Sequence, residues 1–556
     1  MEKFAFNSRR SPVISLHGVA ASSNALVSEI GARILHLGGN AADACVAMAA
    51  ALNVTEPSST GIGGDCFCLF YEAQSKKVKG LNGSGRSGEA FTLAMLASCG
   101  ITSETGMPPM SAHTVTVPGA ASGWVDTVET FGSGKLSLKE ILQPAIILAK
   151  EGFPVSSITA HAWSREIDSF FIHEKNPDKD DFLINGHAPD AGDVMKMPHL
   201  AETFRMLAEH GKDGFYKGRI AQAIVDIVND NGGRLTLEDL ENHSSTFCDP
   251  ISTTYDGVRV WEIPPNGQGI VVLLALNILK KFPMKDMKHN STEYIHVVVE
   301  ALRLAFADAC KYCADPTHSD LPIEQLLSAE YGCERAKLIK LEKCSKLHSA
   351  GAPCVGTDTV YFTVVDQQGN ACSFINSNFC GFGTALVPYG CGFTLHNRGL
   401  NFCLEQGHAN CAGPRKRPYH TIIPGLATFD QTGDLFASFG VMGGFMQPQG
   451  HVQVLLNMIN FGMDAQEALD KPRFKVVVSN RDHAVGNVVQ LEKGISQDIA
   501  MDLRAKGYNV EHDSHFFNFG RGQIIQEKIS KSKNEGSVRV YWAGSDPRAD
   551  GMAIGF

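Results

Sequence analysis

The chain has 556 residues, of which 44% are apolar and 19% charged, and a net charge of −10. These proportions belong to a globular chain that supports its own core without disulfide or metal staples. A mildly acidic surface excludes a general nucleic-acid binder, which needs a basic stripe, and the odd count of 15 scattered cysteines lacks the pattern of a disulfide framework.

Length alone allows roughly three to four domains. The first twelve residues are polar and carry Arg9-Arg10 without a following apolar stretch, so no export signal is read there. No window approaches the ~20 apolar residues of a membrane span. The cysteine usage fits a reducing compartment, and the cytoplasm is the expected location.

In chain order, residues 23–37 place Leu26, Ile30, Ile34 and Leu37 at helical spacing, closed by Gly38-Gly39. Ala41 to Leu52 is almost entirely small and apolar, as in a buried helix. Cys66 to Tyr71 and Lys77 to Leu81 read as strands. Residues 130–350 read as mostly helical, with one helix over 292–314 that aligns Ile295, Val298, Ala301, Leu302 and Ala305 on one face. Residues 345–357 are irregular and form the best linker candidate. Thr359 to Val365 is dense in β-branched and aromatic residues and predicts a strand. A turn at 366–370 and a second strand over 371–377 complete a hairpin. Further strands are expected near 392–395, 425–429 and 436–441, and a helix starts at Ala465. The mixture predicts an α+β or layered α/β fold.

Gly83-Ser84-Gly85-Arg86-Ser87-Gly88 matches the dinucleotide pattern GxGxxG, but the chain holds 55 glycines and no βαβ run or ribose-binding acid accompanies it. Cys310-x-x-Cys313 has no second ligand pair, which a zinc site requires. No metal or organic cofactor is implied. Thr359 stands where linker meets strand. Cutting the bond before it would free an α-amino group, with an ordinary pKa near 8, to act as base on the neighbouring hydroxyl. Gly443-Gly444 follows a predicted strand and can present backbone N–H groups as an oxyanion hole or form a plain turn.

Five segments in order resemble the γ-glutamyltransferase (glutathione hydrolase) family: Gly38 to Ala44 (GGNAADA), Asn53 to Pro57 through Gly61 to Gly64 (NVTEP…GIGG), Glu300 to Asp308 (EALRLAFAD), the strand from Thr359, and Asp546 to Gly551 (DPRADG). The resemblance spans nearly the whole chain. It implies an α+β four-layer αββα sandwich of the N-terminal-nucleophile (Ntn) hydrolase type, and a proenzyme that cleaves itself into a large subunit, 1–358, and a small one, 359–556, held together as a heterodimer. It further implies Thr359 as nucleophile, Ser377 as its supporting hydroxyl in a position where the family usually has threonine, and Gly443 and Gly444 as oxyanion donors. Acyl transfer from a small amide or peptide such as glutathione follows, with no nucleic acid and no membrane as partner.

The sequence departs from the family where a glutamyl group is gripped. Ser84 falls where the family carries its carboxylate-binding arginine, with Arg86 two residues later. Asn401 replaces the amine-binding aspartate, Arg398 a glutamine, and His420-Thr421 a serine pair. Losing the arginine loses a bidentate clamp. The pattern is similar to a divergent branch that is glutathione hydrolase-like and oxamate amidohydrolase-like. Two enzymatic readings result: γ-glutamyl hydrolysis or transfer, and hydrolysis of an oxamate-like or dicarboxylic monoamide. A non-catalytic scaffold would have a damaged nucleophile or oxyanion segment, and both are intact.

Overall fold

The computed structural model describes residues 10–345, 357–478, 485–513, 516–533 and 536–556. The linker expected at 345–357 therefore lies largely outside the described residues.

Two seven-stranded antiparallel sheets lie face to face. One orders the strands Val13–Ser15, Gly536–Ser545, Arg521–Ser532, Leu435–Met442, Gly425–Phe429, Val258–Glu262 and Ile251–Tyr255. The other orders Met552–Gly555, Val19–Ser22, Thr357–Val365, Ala371–Cys380, Asp65–Glu72, Lys77–Gly83 and Thr246–Cys248. Both sheets mix strands from before and after residue 359. Phe67, Leu69, Tyr361, Ile375, Leu426 and Ile525 fill the space between them, and Thr363 Oγ1 meets Ser438 Oγ across it at 2.5 Å.

Helices cover both outer faces. Ala41–Thr55 and Ala120–Phe131 pack on the second sheet, and Gly269–Leu279 and Met446–Phe461 on the first. The result is the four-layer αββα sandwich. All fifteen residues of Ala41–Thr55 are buried, as its composition predicts, and a capping box between Asn40 and Asp43 satisfies its first N–H groups. The first helix, Ala25–His36, buries Val27, Ile30 and Ile34, whereas Leu26 and Leu37 of the expected apolar face are exposed. Helix Thr292–Tyr312 buries all five expected residues.

Two expectations change. Residues 392–395 form no strand; they run as buried irregular chain whose Leu395 exchanges backbone bonds with Thr384 and Leu386. The region read as mostly helical also supplies Thr246–Cys248, Ile251–Tyr255 and Val258–Glu262 to the sheet edges. The GxGxxG stretch leaves its strand at Gly83 and stays irregular, with no helix before Leu93–Ser98. A Cβ at Gly85 would stand 1.6 Å from the Val117 carbonyl oxygen, so that glycine serves backbone packing. Cys313 at the end of its helix donates to the carbonyls of Asn266 and Gly267 at 3.3 and 3.2 Å. Among the described residues, no helix is long and apolar enough to cross a membrane.

Candidate active site

The expected hairpin is present as Thr357–Val365 paired with Ala371–Cys380, and the first strand runs unbroken through the Asp358–Thr359 bond. Its register shifts at that point. Asp358 faces Phe379 while Val360 faces Asn376, so Thr359 stands opposite two residues, Ser377 and Asn378. Such a bulge re-aims side chains locally. The Gly61–Gly64 segment presses against it: a Cβ at Gly64 would meet the Ser377 carbonyl oxygen at 2.3 Å. That close approach is a physical reason for glycine in this motif.

Thr359 is 1% exposed, and its Oγ1 lies 3.0 Å from Ser377 Oγ. Ser377 Oγ also accepts the Phe379 N–H at 2.9 Å and a guanidinium N–H of Arg398 at 3.3 Å. Either hydroxyl of the Thr359–Ser377 pair can be the donor.

Arg398 is fully buried. Besides Ser377 it donates to Thr421 Oγ1 at 2.7 Å, and its guanidinium lies 4.4 Å from the centre of the Phe379 ring. Burial pulls its pKa down to about 10, opposed by the charge of Asp65, so it remains a cation at neutral pH. Asn401 donates to the Tyr419 carbonyl at 3.0 Å. Its Oδ1 and Arg398 Nε are buried and have no hydrogen-bond partner.

Asp65, which sequence reasoning missed, ties this cluster together. One carboxylate oxygen accepts the N–H groups of Gly85 and Gly119 at 2.9 and 3.2 Å. The other faces His420 Nε2 at 2.9 Å, His396 Nδ1 at 3.4 Å and Arg398 Nε at 4.0 Å. Burial alone would raise this carboxyl. The charge and hydrogen bond of His396 and the hydrogen bond of His420 outweigh it and hold the group well below the usual carboxylate range. The available signal was an acid directly after Gly63-Gly64, at the head of a strand whose next six residues, Cys66 to Tyr71, are apolar.

His420 and Arg86 are placed differently from the expectation that they bind substrate. His420 Nε2 faces Asp65, while its Nδ1 accepts the Ile422 N–H at 3.3 Å. Both nitrogens are engaged within the protein, which makes the ring a support for Asp65. Arg86 reaches the Ser244 carbonyl at 3.3 Å and stays outside the buried cluster.

Gly443 and Gly444 link strand Leu435–Met442 to helix Met446–Phe461, with φ values of 127° and 57° that side-chain-bearing residues rarely adopt. Gln268, also missed in the sequence, fixes this turn. Its amide nitrogen donates to the carbonyls of Gly444, at 2.9 Å, and Thr421, and its oxygen accepts Tyr419 OH at 3.0 Å. One buried side chain thus joins the glycine turn to the segment that carries Thr421.

Burial, reinforced by Arg398 and opposed by Asp65, depresses His420 to about 3; burial depresses His451 to about 3 as well. Both would take up a proton near pH 6.5 in the unfolded chain. Between these values the unfolded state binds more protons, so stability falls as pH drops through that window. The urea midpoint is expected to be lower at about pH 5.5 than at about pH 7.5, and an unchanged midpoint would contradict the neutral buried histidines.

The layered sandwich is that of the Ntn hydrolases. The family model described as gamma-glutamyltranspeptidase matches residues 27–556, and the chain belongs to that family, whose members are hydrolases and acyltransferases. It is 35% identical over 543 residues to the glutathione hydrolase-like YwrD proenzyme of Bacillus subtilis, covering 98% of this chain and 99% of that one. It is 31% identical to the oxamate amidohydrolase proenzyme of Klebsiella pneumoniae, again covering 98% and 99%. Among solved structures, the cephalosporin acylase from Bacillus halodurans superposes with a TM-score of 0.89 at 40% identity, covering 100% of this chain and 99% of that one.

Proposed function

We propose that this protein cleaves itself between Asp358 and Thr359 and then hydrolyses a small amide whose acyl half carries a carboxylate and no ammonium group. The observation that carries the specificity is the buried Arg398, forked between Ser377 and Thr421, in a cluster whose one carboxylate, Asp65, already faces four donor groups. A cation of this kind receives a substrate carboxylate, and among the described residues no uncommitted acid stands beside it to receive an ammonium group.

In the intact chain the nitrogen of Thr359 is an amide and has no basicity. Cleavage into 1–358 and 359–556, which stay together as one folded unit, converts it to an amine. That amine takes the proton of the Thr359 hydroxyl as Oγ1 attacks the substrate carbonyl, while Ser377 donates to the nucleophile's oxygen. The N–H groups of Gly443 and Gly444 receive the developing oxyanion, at roughly 3–4 kcal/mol for an effective donor. The C–N bond breaks and the leaving amine takes the proton. Water then attacks the threonyl ester, releases the acid and restores Thr359.

One observation favours the γ-glutamyl reading instead: Asn401 Oδ1 is a buried acceptor without a partner, and it can receive one N–H of an α-amino group. A panel of 4-nitroanilides separates the two. The glutaryl compound is expected to be cleaved with a kcat/KM at least about tenfold above that of the γ-glutamyl compound, the cost of burying an ammonium group without its acid. The reverse order would overturn the specificity, and no cleavage of any member would overturn the activity.

A further inference from the structure

Cys403 and Cys411 close the loop 404–410, which follows Asn401 in the chain. The two are partners in an isolated parallel β-bridge. The Cys403 N–H donates to the Asn410 carbonyl at 3.0 Å, and the Ala412 N–H donates to the Cys403 carbonyl at 2.8 Å. Strands paired in this way lie about 4.8 Å apart, and disulfides span Cα separations of about 4.4–6.8 Å. The backbone therefore already holds these residues at a cystine's spacing. Neither is in a disulfide, and both are partly exposed. Cys68 and Cys372 bring their sulfurs to 3.6 Å, but both are fully buried, and burial pushes both thiols well above their ordinary range. Access distinguishes the loop pair from the core pair.

The thiols make only weak contacts of their own: Cys403 Sγ accepts the Glu405 N–H at 3.5 Å, and Cys411 Sγ faces the Ala412 carbonyl at 3.6 Å. Lys416 braces the loop from within, its ammonium donating to the Ala409 carbonyl at 2.7 Å. Burial raises both thiols and the Lys416 charge opposes it at each, while the Glu405 carboxylate acts against ionisation of Cys403. Cys411 is thus the better placed of the two to react as a thiolate. Asn410 links the loop to the candidate site. Its Nδ2 donates to the Asn401 carbonyl at 2.7 Å and its Oδ1 accepts the Tyr419 N–H at 2.9 Å. The loop thereby ties the segment of Asn401 to the one that carries His420 and Thr421.

We infer that Cys403 and Cys411 form a modification site, a reversible dithiol–disulfide clasp closed by hydrogen peroxide, which fastens the chain between Asn401 and Tyr419. The Cys411 thiolate attacks one peroxide oxygen, the O–O bond breaks, and the departing hydroxide takes a proton and leaves as water. The Cys403 thiolate then attacks the sulfur of the resulting sulfenic acid. The S–S bond forms, the S–O bond breaks, and the second oxygen leaves as water with the remaining thiol proton. Two thiols and one peroxide become one disulfide and two waters, the sulfurs supplying the two electrons. A dithiol reductant reverses the reaction. The clasp stands on the loop geometry and is independent of which acyl group the enzyme prefers.

The experiment treats the reduced, folded full chain with hydrogen peroxide, blocks remaining thiols with iodoacetamide and digests with trypsin. Cleavage after Arg398 and Arg415 leaves both cysteines in one peptide, Gly399 to Arg415. That peptide is expected to carry no alkyl label and to be lighter than the dithiol by two hydrogen atoms, and dithiothreitol before blocking should restore both labels. In Cys403→Ser, which lacks the resolving thiol, dimedone is expected to label Cys411. The oxidised wild type should also unfold at a higher urea concentration than the reduced form, a shift absent from Cys403→Ser. Retention of both labels after peroxide, or a disulfide from either residue to another cysteine such as Cys310, would overturn the pairing, and this readout needs no variant. No dimedone adduct on Cys411 would overturn its role as the attacking thiol, and equal urea midpoints for the two forms would overturn the fastening.

Discussion

Thr359→Ala is expected to run as one uncut chain of 60.0 kDa and to hydrolyse nothing in the amide panel, while unfolding at nearly the wild-type urea concentration. In the proposed mechanism one hydroxyl serves both reactions: it attacks the carbonyl of Asp358 in self-cleavage and the substrate carbonyl in turnover. Alanine removes that oxygen and one methyl group, and the bulge leaves Ser377 in place with its bonds from Phe379 and Arg398. Ser377 lies 3.0 Å from the lost oxygen but has no α-amino group and cannot take over its role. Thr359→Ser keeps the oxygen and is expected to cleave itself and turn over, more slowly. If Thr359→Ala still separated into two fragments, the nucleophile would lie elsewhere.

Arg398→Met carries the second large effect. The thioether replaces the apolar stem, but Ser377 loses a donor, Thr421 loses its 2.7 Å partner and the proposed substrate carboxylate loses its cation. Truncating one partner of a buried, hydrogen-bonded charge pair costs about 2–5 kcal/mol, so kcat/KM for a glutaryl amide is expected to fall by about a hundredfold or more. Arg398→Lys retains the charge without the fork and recovers only part of the loss. The decisive comparison is a butyryl amide, which has no carboxylate to bind. Its cleavage should fall far less than that of the glutaryl amide in Arg398→Met. An equal loss for both acyl groups would make Arg398 a structural residue only.

What the sequence shows and what it hides divide along physical lines. The hairpin at Thr359 was legible because its strand composition and turn are local. The helix at Ala41 was legible because a run of small apolar residues has little choice but burial. Several resembling segments prove structural in this fold. Glu300, in its helix, bonds Arg303 and Tyr508 OH. Asp546 and Arg548 form a buried network with Arg473 and Glu492. Asp65 was not legible, because its partners come from Gly85, Gly119, His396 and His420, and only the folded sandwich brings those four together. Gln268 was hidden for the same reason, since it acts on Gly444 and Thr421 from more than 150 residues away. His420 was assigned to substrate because a histidine after Lys416-Arg417-Pro418 replaced a serine; its orientation toward Asp65 depends on contacts that spacing cannot encode.

Under the proposed function Thr359, freed at its nitrogen, carries the acyl group. The most direct test is the intact mass of the wild-type enzyme quenched in acid during turnover of a glutaryl amide. Two chains meeting at Asp358/Thr359 are expected, with the acyl mass on the fragment 359–556 and, after digestion, on its first peptide. A single full-length chain, or an acyl group on the fragment 1–358, would contradict it.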